Sequence, residues 1–226
     1  MNKWKDNINN LDIPEYSKEQ DDFNFYSHLI GVPIGIAIFC NCIILYLKQL
    51  INFTSLIGLL IFGLTTILLY YISASYHKSP IDSKRKKIKR ALDHSTIYLL
   101  IAGTYTPICI YIFEENIIGL ILLIIQWSLA IIGAFINIYD LKNKVVKIIS
   151  MILYIALGWM ILYTGGYKYL PTNSFFLILF GGIVYTLGSV LYGVGRKKNL
   201  WFHSIFHVFV LLGTILQAIG VFFLYI

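Results

Sequence analysis

FTSLIGLLIFGLTTILLYYISASYH (residues 53–77) carries no charged side chain before its closing histidine. At 1.5 Å per residue, 25 residues of helix reach about 37 Å, more than the roughly 30 Å of bilayer hydrocarbon. Soluble helices do not present apolar side chains on every face, so this stretch reads as a membrane span. Six further stretches have the same character: residues 28–47, 92–113, 117–139, 147–165, 174–195 and 200–226. The 226-residue chain is 58% hydrophobic and only 13% charged. Soluble domains carry about 25% charged residues, and a soluble core of this size could not bury so much apolar surface. The expected fold is therefore all-α: a membrane bundle of seven transmembrane helices over residues 28–226, preceded by a polar tail over residues 1–27. That tail has no apolar centre, so the first helix, not a cleavable leader, is expected to start insertion.

Charge sets the expected orientation. Lys3, Lys5 and Lys18 lie in the tail; Lys78, Lys84, Arg85, Lys86, Lys87, Lys89 and Arg90 in the second loop; Lys142, Lys144 and Lys147 in the fourth; Arg196, Lys197 and Lys198 in the sixth. Only Lys48 and Lys168 fall on the other side, where Glu114 and Glu115 also lie. The positive-inside rule places the N-terminus in the cytoplasm and the C-terminus outside, in a multi-pass protein of the cell membrane. This is the reverse of the G-protein-coupled receptor arrangement. The basic second loop sets topology and suits anionic lipid head groups, so membrane lipids, not nucleic acid, are the expected partners. Cys40, Cys42 and Cys109 sit in apolar runs, are odd in number, and form no disulfide framework.

Ionisable groups inside a bilayer are costly and usually functional. Here they gather at helix ends that face the cytoplasm in this topology: His28, His77, Asp93 with His94, and His203 with His207. Ser73 and His77 are four residues apart and share a helix face, as do His203 and His207. Polar stripes continue inward through Thr66 and Tyr70, through Thr214 and Gln217, and from Asp93 to Thr104. Two histidines at i and i+4 can grip one ion from a single helix, and a catalytic zinc takes three protein ligands. His77, His203 and His207 can supply three, with Asp93 orienting a ligand or accepting a hydrogen bond from a bound water. Ordinary interhelical hydrogen bonding accounts equally for Thr104 or Gln217. Gly31 with Gly35, and Ser189 with Gly193, are small-xxx-small pairs that let helices approach closely. Pro33 and Pro107 fall inside spans.

The segment from Ser73 to His77, the basic loop, and the run RALDHSTIYLLIAGTYTP (residues 90–107) resemble the hemolysin III family. His203-Ser204-Ile205-Phe206-His207 is similar to the family's last-helix HxxxH. Asp21, Asn24, Ser27 and His28 resemble its motif ahead of the first helix, with Gln20-Asp21 in place of the usual acidic pair and Ser27 in place of threonine. The family is grouped with the progestin and adipoQ receptors and more distantly resembles alkaline ceramidases. The resemblance implies zinc at His77, His203 and His207, with Asp93 and Ser73 beside the metal; His28 and His94 are expected to support the site by hydrogen bonding. It leaves three functions open. One is a zinc-dependent hydrolase of lipid amides, with Asp93 and Ser73 catalytic. The second is a sensor of membrane lipids with structural zinc, and the third is a cytolysin or pore.

Overall fold

The computed structural model describes every residue except 1, 2, 82 and 196; Arg196, counted above in the sixth loop, therefore lies outside the described residues. The described chain is helical: α1 (Lys3–Asn9), α2 (Lys18–Leu29), α3 (Gly31–Leu47), α4 (Phe53–His77), α5 (Lys84–Glu115), α6 (Ile118–Asp140), α7 (Lys144–Gly158), α8 (Met160–Tyr163), a 3-10 turn at Gly166–Tyr169, α9 (Thr172–Gly195) and α10 (Trp201–Phe222). Six helices are long and apolar enough to cross a membrane, α2 and α3 counting as one run over Lys18–Leu47. The fifth expected span, residues 147–165, is instead a 15-residue helix followed at Trp159 by a four-residue one.

The ends of several helices are fixed by side chains that accept otherwise unpaired backbone N–H groups. Asn52 accepts from the Ser55 N–H, Ser83 from that of Lys86 and Asn143 from that of Val145. Ser17 and Gln20 form a reciprocal capping box that starts α2. The region read from sequence as a polar tail is therefore largely helical. It lies across the basic end of the bundle: Trp4 donates to the Ile138 carbonyl, Asn7 to that of Tyr139, and Ile8 and Leu11 pack with Ala91 and Leu141.

Helices α3, α4, α5 and α6 pack in sequence order, and α9 packs along α10. Close approach of α3 to α4 depends on Gly35, where a Cβ would stand 2.8 Å from the Ile67 backbone nitrogen. Exposed Ile, Leu, Phe and Val side chains cover the outer faces, as suits a surface against lipid chains. Two features position the site. Helix α2 lies against both α4 and α10 at the basic end, and α7 meets α9 only sparsely, which leaves an internal space between the two packed groups.

Candidate metal centre and lipid-sized cavity

His77 ends α4, while His203 and His207 occupy successive turns of α10. All three are buried. Their Nε2 atoms converge: that of His203 lies 3.2 Å from that of His77 and 3.0 Å from that of His207. Among the described residues, this trio is the group of side chains with the proximity needed to hold a metal ion. Three nitrogens bonded to one tetrahedral ion at about 2.0–2.1 Å stand about 3.3 Å apart, so the observed spacing is close to a ready ligand set.

The opposite ring nitrogens explain why Nε2 faces inward. His77 Nδ1 is 2.8 Å from Asp21 Oδ1, and a carboxylate there takes the N–H. His207 Nδ1 is 3.3 Å from Ser27 Oγ, whose own proton goes to the Asn24 carbonyl. Ser27 therefore accepts from His207. Both imidazoles are held with the proton on Nδ1 and a bare lone pair on Nε2, the tautomer a metal needs. Bare lone pairs brought together in a dry site repel each other, and a shared cation removes that repulsion.

Asp21 also accepts from the fully buried Lys86 ammonium at 2.8 Å, so one carboxylate joins α2, the metal face of α4 and the start of α5. Tyr16 stacks on His203, ring centroids 5.3 Å apart, and meets His77 edge-on at 5.4 Å. Burial pushes the Tyr16 phenol well above its ordinary pKa, so it stays neutral beside the histidines.

His28 supports the site differently from the expectation. Neither of its ring nitrogens has a hydrogen-bond partner among the described residues; it stacks face to face on His207, centroids 3.5 Å apart, and edge-on against Tyr70. His94 anchors α5 through its backbone carbonyl, which accepts from Tyr154 Oη at 2.5 Å and Asn137 Nδ2 at 3.3 Å. The polar stripes of α4 and α10 meet in a chain in which Tyr70 and Tyr185 each lie 2.7 Å from the Thr214 hydroxyl.

Next to the histidines opens a cavity of about 550 Å³, lined by Ser73, Asp93, His203 and His207 at one end and reaching Thr104 and Gln217. Its size falls in the range of small-molecule sites. Asp93 is half-buried, and its remaining surface belongs to this wall. Ser73 lies beside Asp93, with its hydroxyl free of any hydrogen bond of ordinary geometry.

Sequence reasoning missed Asp21, Ser27, Lys86 and Tyr16 as partners of the histidines. The signal for Asp21 was present. The Ser17-x-x-Gln20 capping box starts a helix, and a helix there puts Asp21, Asn24 and His28 on one face. Lys86 and Tyr16 carried no such signal, since both read as surface residues of polar segments.

Comparison with known proteins identifies the family. The family model for "Haemolysin-III related" proteins matches residues 16–218, a range that begins at Tyr16 and takes in Asp21 and all three histidines. The chain is 33% identical over 201 residues to the "Hemolysin-3 homolog" of Bacillus subtilis (strain 168), covering 88% of this chain and 91% of that one. It is 33% identical over 202 residues to "Hemolysin-3" of Bacillus cereus, covering 88% and 89%. With its apolar helices, the match makes this a multi-pass protein of the cell membrane. A match that spans the converging histidines, the helix that orients them and nearly every apolar helix shows that the chain belongs to the haemolysin-III-related family.

Proposed function

We propose that this protein is a zinc-dependent hydrolase of lipid amides or esters. One observation carries the proposal: three converging imidazole nitrogens, those of His77 and His207 oriented by Asp21 and Ser27, stand beside a carboxylate and a hydroxyl in the wall of a cavity of about 550 Å³. We also propose the seven-span topology with a cytoplasmic N-terminus, in which α7 and α8 together form the fifth, broken crossing. Non-helical backbone at membrane depth is tolerated where it lines a cavity, and Trp159, at the break, lines this one.

His77, His203 and His207 would hold zinc. The ion supplies Lewis acidity, which acidifies water and polarises a carbonyl. Asp93 takes the proton from the attacking water and returns it to the departing amine or alcohol. Ser73 donates its free O–H to the oxygen that gains charge as the carbonyl is attacked. Asp21 and Ser27 keep the ring protons on Nδ1, and Tyr16, against His77 and His203, and His28, against His207, shield the imidazoles from water. The products are a fatty acid and the amine or alcohol.

The test is metal analysis of purified wild type beside His77→Ala, followed by hydrolysis assays on ceramide and acyl-ester lipids with Asp93→Asn as control. Zinc-loaded wild type that cleaves no lipid amide or ester, with an Asp93→Asn strain indistinguishable in cells, would remove the reading. The names of the two Bacillus relatives favour a second reading, cytolysis. Ion or dye leakage from liposomes, abolished by substituting Thr104 or Gln217, would support it over hydrolysis. If replacing His203 and His207 together abolishes folding and not merely turnover, the ion is structural, as a lipid sensor requires.

A further inference from the structure

The cavity has one basic end. Lys144 and Lys147, from the first turn of α7, and Lys197, after α9, line it, and Asp93 is the one carboxylate in that lining among the described residues. A second, smaller cavity of about 160 Å³ shares Tyr192, Lys197 and His203 with the first, so the two adjoin. Arg90 lines this smaller space. The residue is only 5% exposed, and its Nη1 has no hydrogen-bond partner among the described residues. Arg90 and Lys197 take no part in the ion pairs to Asp21.

A buried guanidinium with an unused donor is costly, because a charge removed from water needs an opposite charge or hydrogen bonds in return. Guanidinium donors match the oxygens of phosphates and carboxylates. Much of the rest of the large cavity's wall is apolar, with Leu100, Ile101, Ile155 and Val210 in it. We propose that Arg90 and Lys197, assisted by Lys144, bind the anionic headgroup, phosphate or carboxylate, of a lipid whose chain lies in the apolar part of the cavity. The reactive carbonyl then falls between head and tail, beside the histidines, Asp93 and Ser73. This deepens the hydrolase reading by giving the substrate a negatively charged head, and rests on that reading only for the claim that the bound lipid is cleaved.

The experiment measures binding without turnover. Full-length protein stripped of metal by a chelator is titrated with phosphatidic acid and, separately, with phosphatidylcholine, using native mass spectrometry in neutral detergent. The expected result is tighter binding of phosphatidic acid. Arg90→Gln lowers that affinity at least about tenfold. Lys197→Gln, exposed and so safe for folding, lowers it about fivefold. Each lowers phosphatidylcholine binding less, because the choline of that headgroup offsets its phosphate charge, and Lys84→Gln with Arg85→Gln, also exposed, leaves both lipids unaffected. Equal affinity for the two lipids in wild type overturns the proposal, as does a preference that survives Arg90→Gln and Lys197→Gln together. Inorganic phosphate that saturates the site as tightly as phosphatidic acid identifies a free-anion site and overturns the lipid assignment. If lipid binding behaves as expected while zinc-loaded protein cleaves nothing, the headgroup site stands and the hydrolase reading falls.

Discussion

Replacing Asp21 with asparagine removes the charge that orients His77, one of the three proposed metal ligands, while keeping the side chain's shape. In the wild type, Asp21 accepts from His77 Nδ1 and from Lys86 Nζ, each at 2.8 Å. An asparagine oxygen can still accept from one of them, but its NH2 then faces the other donor, so one contact becomes repulsive. Loss of such an outer partner typically costs 10–100-fold in metal affinity, or about 1.4–2.7 kcal/mol. The fully buried Lys86 also loses its counter-charge. Breaking a buried pair costs about 3–5 kcal/mol, and the lower end applies here because Asp21 keeps 17% of its side chain exposed. The two effects are separated by a double variant, Asp21→Ala with Lys86→Met, which removes both buried charges and leaves His77 Nδ1 with no acceptor at position 21. We expect Asp21→Asn to lower both thermal stability and zinc affinity, the latter read by competition with a chelating dye. The double variant should recover stability and keep the affinity loss. A double variant that folds and binds zinc like wild type would refute the claim that Asp21 orients His77.

Ser27→Ala should weaken zinc binding several-fold with little loss of stability, since His207 loses one neutral acceptor, worth about 0.5–1.5 kcal/mol; the same dye competition reads it. Gly103→Ala should lower the melting temperature without altering metal stoichiometry, because its Cβ would meet Thr65 Oγ1 at 1.9 Å between α4 and α5; overpacking of this kind costs about 1–3 kcal/mol. Chelation should destabilise the wild type by about 2.7 kcal/mol relative to protein held at 100 times the zinc dissociation constant, and should leave the melting temperature of His203→Ala unchanged. Cysteines introduced at Lys87 and Lys168 test orientation. An impermeant maleimide added to intact cells should label only the second, and label at Lys87 would reverse the proposed topology.

Much of this protein was legible in one dimension. Hydrophobic runs such as residues 53–77 and 117–139 declare membrane helices by themselves, because a bilayer demands length and apolarity whatever the neighbours are. The convergence of the histidines was partly legible too: His203 and His207 share a face through helix periodicity alone, and Ser73 precedes His77 by one turn. The broken helix at Trp159 was not legible, because residues 147–165 are apolar throughout and composition does not record where the backbone turns. Nor was the role of the N-terminal segment, whose polarity suits water as well as it suits a site. Tertiary structure alone decided that Asp21 and Ser27 fix the imidazole tautomers, that Lys86 is buried, that His28 stacks instead of hydrogen bonding, and that Arg90 faces a cavity. The physical reason is one of range. Span length and helix faces are set by neighbours within a few residues, whereas a carboxylate finds its imidazole 56 positions away only once α2 has docked against α4 and α10.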